Sequence, residues 1–118
     1  MNYEKVFNLH FSSAFTYFVT IATNYRYNST IPIYKKFRQY IYNHDKNSHI
    51  FSVKEITTIT KGLHYHILVF TDKRLDYSKV HERMPLHSDI NIQLVPKTES
   101  DIKKVLAYMM KQNSRFFS

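Results

Sequence analysis

The fold turns on one stretch, IFSVKEITTITKGLHYHILVFT, residues 50–71. Two runs rich in β-branched and aromatic residues, Ile50 to Thr60 and Leu63 to Thr71, flank Lys61-Gly62, a short hairpin signal. Side chains two apart on a strand face the same way, so His64 and His66 project from one surface. With a two-residue turn at Lys61-Gly62, Ile59 faces His64, Thr57 faces His66 and Glu55 faces Leu68. Glu55 then shares the histidine face, diagonal to His66 at about 7–8 Å between backbones. A three-residue turn would reverse that parity and remove Glu55 from the face.

Upstream, Ala14 to Thr23 reads as a strand, and Asn24 to Thr30 as a polar loop carrying Tyr25, Arg26 and Tyr27. Ile33, Phe37, Tyr40 and Ile41 follow at helical spacing to about His44, with Pro32 in the first turn and Thr30 as N-cap. Downstream come a brief helix at Asp76 to Arg83, a loop at Pro85 to Asp89, and a strand from Ile90 to Val95 that Pro96 stops. Thr98-Glu-Ser-Asp101 resembles a capping box and opens a helix to about Gln112. The expected fold is a single α+β domain over residues 1–118, an antiparallel sheet with helices packed mainly on one face.

Composition narrows the function. With 118 residues, 43% hydrophobic and 22% charged, the chain can build one real core. There is no cysteine, which excludes disulfides and thiolate metal sites. The single glycine, Gly62, excludes Gly-rich phosphate cradles of the Walker or dinucleotide type. No apolar run approaches the ~20 residues of a membrane helix and no signal-peptide pattern opens the sequence, so a cytoplasmic protein without a membrane partner is expected. The net charge of +8, with ten Tyr and nine Phe, suits nucleic acid, because cations neutralise phosphates and rings stack on bases. Charge alone fits a merely well-solvated domain equally well.

Two imidazoles and a carboxylate would leave coordination positions open for water or phosphate oxygens, which favours Mg²⁺ or Mn²⁺ over a closed structural zinc. The competing reading is that a His-x-His pair only bonds neighbouring carbonyls. The other histidines (His10, His44, His49, His81, His87) have no partner at ligand spacing and are read as exposed or capping. On the last helix, Ile102, Val105, Leu106 and Met109 form an apolar stripe that should dock on the sheet. Tyr108 lies about 100° from the centre of that stripe. Lys104 and Lys111 are its i−4 and i+3 neighbours, placed to favour a phenolate or to hold a phosphate.

Together these pieces resemble the HUH superfamily of single-strand DNA nickases, in particular small rolling-circle replication initiators. Phe15-Thr-Tyr-Phe-Val-Thr-Ile21 looks like the first motif of that family, and His64-Tyr65-His66 occupies the His-hydrophobic-His motif. Tyr108-Met-Met-Lys111 looks like the third, with the strand Asn91 to Pro96 between the last two. The compact size without a helicase region is similar to initiators of archaeal rod-shaped viruses and small plasmids. The resemblance implies a ferredoxin/RRM-like fold and a transesterification. In it, His64, His66 and Glu55 would hold Mg²⁺ or Mn²⁺, Tyr108 would form a 5′-phosphotyrosyl link, and Lys111, with Lys104, would stabilise phenolate or phosphate.

The same resemblance implies single-stranded DNA at a replication origin as partner, with Tyr25 and Arg26 among its contacts, and host replication proteins or a helicase. A lone candidate tyrosine implies a homodimer in which two subunits share cleavage and closure. If the chain is viral, the compartment is the host cytoplasm. Competing readings are a single-tyrosine transposase of the same superfamily and a non-enzymatic RRM-like binder of single-stranded nucleic acid.

Overall fold

A computed structural model describes residues 3–22, 30–56, 63–84, 89–111 and 114–117; the side chains of residues 30, 31, 56, 63, 111 and 114–117 lie outside that description. The elements are α1 (Tyr3–Ser12), β1 (Phe15–Ala22), α2 (Thr30–His44), β2 (His49–Ile56), β3 (Leu63–Thr71), α3 (Tyr77–Arg83), β4 (Asp89–Leu94), α4 (Glu99–Lys111) and β5 (Ser114–Phe117). The sheet order is β4-β1-β3-β2-β5, and every neighbouring pair is antiparallel. Because β1 and β2 both pair with β3 they run parallel to each other, and such strands need a crossover, which α2 supplies. The α3 segment does the same between β3 and β4. The result is the expected α+β class, a ferredoxin-like βαββαβ core with two further helices and an added edge strand.

Alternation along the strands divides the hydrophobic residues between two faces. Tyr17, Val19 and Ile21 of β1 and Tyr65, Ile67 and Val69 of β3 pack with Ile33, Phe37 and Ile41 of α2 and Val80 of α3. On the opposite face Val53, Leu68 and Phe70 pack with Val6 of α1 and Ile102, Leu106 and Met109 of α4. The two core helices share one face, while α4 packs on the other, so the helices divide evenly between the faces instead of gathering mainly on one. Helix α1, which the sequence did not suggest, joins α4 on the other. The aromatic middle residue of the histidine motif, Tyr65, points away from its neighbours and stacks flat on Tyr34, with ring centroids 4.1 Å apart.

The β2–β3 register differs by four positions from the one expected. His64 faces Glu55 rather than Ile59, His66 faces Val53 rather than Thr57, and Leu68 faces Phe51 rather than Glu55. The turn dipeptide Lys61-Gly62 lies outside the described residues. A shift by an even number preserves facing, so Glu55 stays on the histidine side.

Local signals explain the helix ends. Thr98 caps α4 by accepting from the Asp101 backbone N–H at 3.0 Å. The Asp101 carboxylate takes the Thr98 hydroxyl rather than the Thr98 backbone N–H, which bonds the Pro96 carbonyl at 2.8 Å, so only half of the expected capping box forms. Asp76 caps α3 by accepting from Lys79 N–H at 3.2 Å. His10 is not exposed or capping, as expected of it, but fully buried. Its Nε2–H donates to the Pro96 carbonyl at 3.0 Å, and its Nδ1 accepts from the Thr16 hydroxyl at 2.8 Å. Lys97 adds bonds to the His10 carbonyl and to Thr16 Oγ1. This cluster ties α1 to β1 and to the junction that launches α4. Burial holds the His10 imidazole below its usual range.

The turn after α2 is tied to the end of β3 by Asp45, which is buried. Its carboxylate accepts from the Thr71 hydroxyl at 2.7 Å and from the backbone N–H groups of Asp72 and Asn47 at 3.1 and 3.0 Å. The Thr71 bond, then the backbone bonds, hold this carboxyl below the usual carboxylate range. A depressed folded-state value stabilises the protein fully above the unfolded value, about 3.9, and that stability is lost as pH falls through the folded value. Asp45→Ala should therefore cost about 2–3 kcal/mol at neutral pH, measured by urea unfolding, with the deficit shrinking in strong acid.

Candidate functional site

The site forms where β1, β2, β3 and α4 meet on the face opposite α2. Strand β3 places His66 under the helix, and β1 places Thr20 directly beside it and Phe18 one pair further along. His66 is 2% exposed, and its Nε2–H donates to Glu55 Oε2 at 2.6 Å. Its Nδ1 lies 3.4 Å from Thr20 Oγ1, a long contact in which the hydroxyl donates. A carboxylate on Nε2 and a hydroxyl on Nδ1 fix both the tautomer and the plane of the ring. Phe18 stacks on the imidazole at 6.0 Å between centroids.

Helix α4 brings Tyr108 to the same place. Its stripe docks as expected, with Ile102, Leu106 and Met109 buried and Val105 at the margin. One residue turns the helix by about 100°, so Tyr108, next to the buried Met109, comes to the edge of the docked face. Its ring stands edge-on to His66 at 5.5 Å and to Phe18 at 5.9 Å. The residue remains 48% exposed, so the ring is anchored by its packing while part of it meets solvent. Exposed Asn91 and Gln93 of β4 pair with Thr20 and Phe18 of β1, which extends this sheet face with amide side chains.

Of the residues singled out from the sequence, Glu55, His66 and Tyr108 come together. His64 shares their face, opposite Glu55, and is half-buried. Lys104 is exposed one turn before Tyr108, while its neighbour Lys103 is bound to Glu99 at 2.7 Å. The Lys111 side chain, Tyr25, Arg26 and Tyr27 lie outside the described residues, as does His87. His44 and His81 bond backbone carbonyls and His49 is exposed, in keeping with the roles expected of them. The sequence did not single out Phe18 and Thr20. Alternation in β1 placed them on one face, but only the strand order shows that this face meets His66.

A divalent cation can be tested against these donors. Among the described residues no three His, Asp or Glu side chains close round a point. Glu55 Oε2 and His66 Nε2 are 2.6 Å apart, near the ~2.9 Å that separates adjacent ligands of an octahedral ion with bonds of about 2.0–2.1 Å. The carboxylate oxygen suits Mg²⁺ or Mn²⁺, whereas the imidazole nitrogen is the donor of softer ions. With its Nε2–H given to Glu55, His66 has no lone pair on that nitrogen for a cation, and His64 does not complete a three-donor set with the pair.

The architecture is that of a small α+β sheet protein with a partly exposed tyrosine set over an imidazole–carboxylate pair. The chain belongs to the 117-like family of viral proteins, whose model matches residues 12–112. It is 66% identical over 108 residues to "Uncharacterized protein 117" of Sulfolobus islandicus rod-shaped virus 1, covering 92% of each chain. The crystal structure of the hypothetical protein ORF119 from the same virus superposes with a TM-score of 0.80 at 64% identity, covering 94% of this chain and 93% of that one. Viral origin is thereby established. The expected membership of the HUH initiator superfamily is corrected: the matching family is the 117-like one. The motifs behind that expectation are short, and a His-x-His strand followed by a Tyr-x-x-Lys helix is compatible with many α+β sheets. No helix among the described residues is long and apolar enough to cross a membrane.

Proposed function

We propose that this protein nicks and rejoins single-stranded DNA in the host cytoplasm, starting replication of viral DNA through a covalent tyrosine intermediate. The observation that carries the reading is the half-exposed Tyr108 ring lying edge-on over His66, whose Nε2 is held by Glu55. A tyrosine in the sheet core would be covered, and one on a plain solvated face would not sit over an oriented imidazole. The net charge of +8 supplies attraction to a phosphate backbone.

In the reaction the Tyr108 oxygen attacks phosphorus, the bond to the 3′ oxygen breaks, and the phenolic proton is matched by the one the 3′-hydroxyl gains. A phosphotyrosyl ester retains the energy of the broken diester, so the reverse attack by a 3′-hydroxyl reseals the strand without a nucleotide cofactor. The packing of Phe18 and His66 against the ring keeps the nucleophile from swinging away, which lowers the entropic part of the barrier. Glu55 and His66, with His64, would hold Mg²⁺ or Mn²⁺ only after His66 Nε2 has lost the proton it shares with Glu55, and the ion would then supply Lewis-acid stabilisation of charge on the phosphate. Lys104 on the same helix adds positive charge near the attacked phosphate. Tyr25, Arg26 and Lys111 are proposed DNA contacts on residue type alone.

A panel of labelled single-stranded oligonucleotides with origin-like sequences, incubated with Mn²⁺ or EDTA, tests this. We expect a metal-dependent, SDS-resistant protein–DNA adduct and a shortened strand with a free 3′-hydroxyl. Binding with no adduct under any ion would instead make the protein a non-enzymatic binder.

A further inference from the structure

Helix α1 is attached at few points. Val6 and His10 are its fully buried residues, with Phe7 and Leu9 packed at the margin of the cluster that also docks α4. A helix of ten residues is marginal on its own in water, so α1 keeps its shape and place through that docking. One of its two anchors is thus an imidazole sealed from solvent, which the tyrosine chemistry does not use.

Lys97 fixes the direction of every bond around that ring. An ammonium can only donate, and Lys97 gives hydrogens to the His10 carbonyl and, at 3.0 Å, to Thr16 Oγ1. Thr16 accepts from Lys97 and turns its own hydrogen toward His10 Nδ1 at 2.8 Å. On the far side of the ring, Nε2–H donates to the Pro96 carbonyl at 3.0 Å. The cluster is therefore built for the neutral imidazole. A proton arriving at Nδ1 meets the Thr16 hydrogen head-on, with the Lys97 ammonium behind it.

The charged groups that face the ring come from the elements packed on α1. Lys97, at the junction before α4, opposes a second positive charge, and Asp101, in the first turn of α4, favours one more weakly. Burial first, then Lys97, holds the imidazole below its ordinary range. Burial also pulls the Lys97 ammonium down, while Asp72, just past the end of β3, works to keep it charged.

We propose that His10 is an acid-sensitive latch: protonation at Nδ1 breaks the bond from Thr16 and releases helix α1 from a sheet that stays folded. Above about pH 7 the ring is neutral in both forms and docking has its full strength. Below the value of the released form, about 6.5, each further pH unit favours release by up to tenfold, until the docked form takes up the proton as well. Because Val6, Phe7 and Leu9 pack in the cluster that seats α4, release frees one flank of the helix carrying Tyr108. The latch does not depend on the nicking reaction.

Amide and imidazole NMR of the full chain between about pH 7.5 and 5, where ordinary carboxylates stay ionised, tests this. In the wild type, the α1 amides from Tyr3 to Ser12 should move to unfolded positions as the pH falls, with the β3 amides from Leu63 to Thr71 unmoved. His10→Gln keeps an amide that can donate to Pro96 and accept from Thr16 but cannot titrate, so its α1 should stay docked throughout. Lys97→Met decides the matter if that variant fails to fold. Removing the cation brings the docked value of His10 nearer the free one, so release should depend less steeply on pH, although docking is weaker at every pH. Wild-type α1 amides that hold their positions to the acid end of the range, or β3 amides that move with them, overturn the proposal. So does release of α1 in His10→Gln at the wild-type pH, or an unchanged slope in Lys97→Met.

Discussion

Tyr108→Phe should abolish covalent adduct formation, a loss of at least about 10⁴-fold in single-turnover cleavage. That ratio corresponds to roughly 5.5 kcal/mol of barrier. The substitution removes one oxygen and nothing else. The phenyl ring keeps its edge contacts with His66 and Phe18, and the apolar stripe that docks α4 is unchanged. Oligonucleotide affinity and melting temperature should therefore stay at wild-type values, which separates loss of the nucleophile from loss of fold. A Tyr108→Phe protein that still forms an SDS-resistant adduct would move the chemistry to another hydroxyl.

The second large effect is expected at the imidazole–carboxylate pair. Glu55→Gln keeps the side-chain volume but turns a charged acceptor into a neutral amide, so the bond to His66 Nε2 weakens and the affinity for a divalent ion falls. Cleavage should drop by about 10²–10⁴-fold while DNA binding changes little. His66→Ala should be at least as damaging to cleavage. Because His66 is buried beneath Phe18 and Tyr108, it should also lower stability by about 1–3 kcal/mol through the void it leaves. Glu55→Gln is thus the cleaner arm. Normal cutting by that variant would leave the pair with a structural role only.

Much of this arrangement was written in local signals. The Thr98 cap of α4, the Asp76 to Arg83 helix and the Leu63 to Thr71 strand all appear where residue patterns put them. Glu55 reached the histidine face although its register was misplaced by four, because facing depends only on whether a shift is even. Helix α1 escaped because its buried face amounts to Val6 and His10, and the second of these counts as polar in any hydropathy pattern. His10 is accommodated by a hydrogen bond with Thr16, six residues on, and one with Pro96, 86 residues on, which no local window contains.

The four-residue β5 is too short to carry its own period and exists through pairing with the edge of β2. The same non-locality hid Phe18 and Thr20. Their residue types are ordinary for a strand, and their value lies in what the 4-1-3-2 strand order sets beside them. Family identity failed for a different reason. Two short motifs state which side chains meet, and that chemistry does not determine the lineage of the chain that carries it.

Proteolytic digestion of the protein–DNA adduct, followed by mass spectrometry of the nucleotide-bearing peptide, bears most directly on the central claim. A single modified peptide with a nucleotide 5′-phosphate esterified to Tyr108 is the predicted outcome. The same nucleotide on any other side chain, or no modified peptide from a reaction in which the strand was cut, would contradict it.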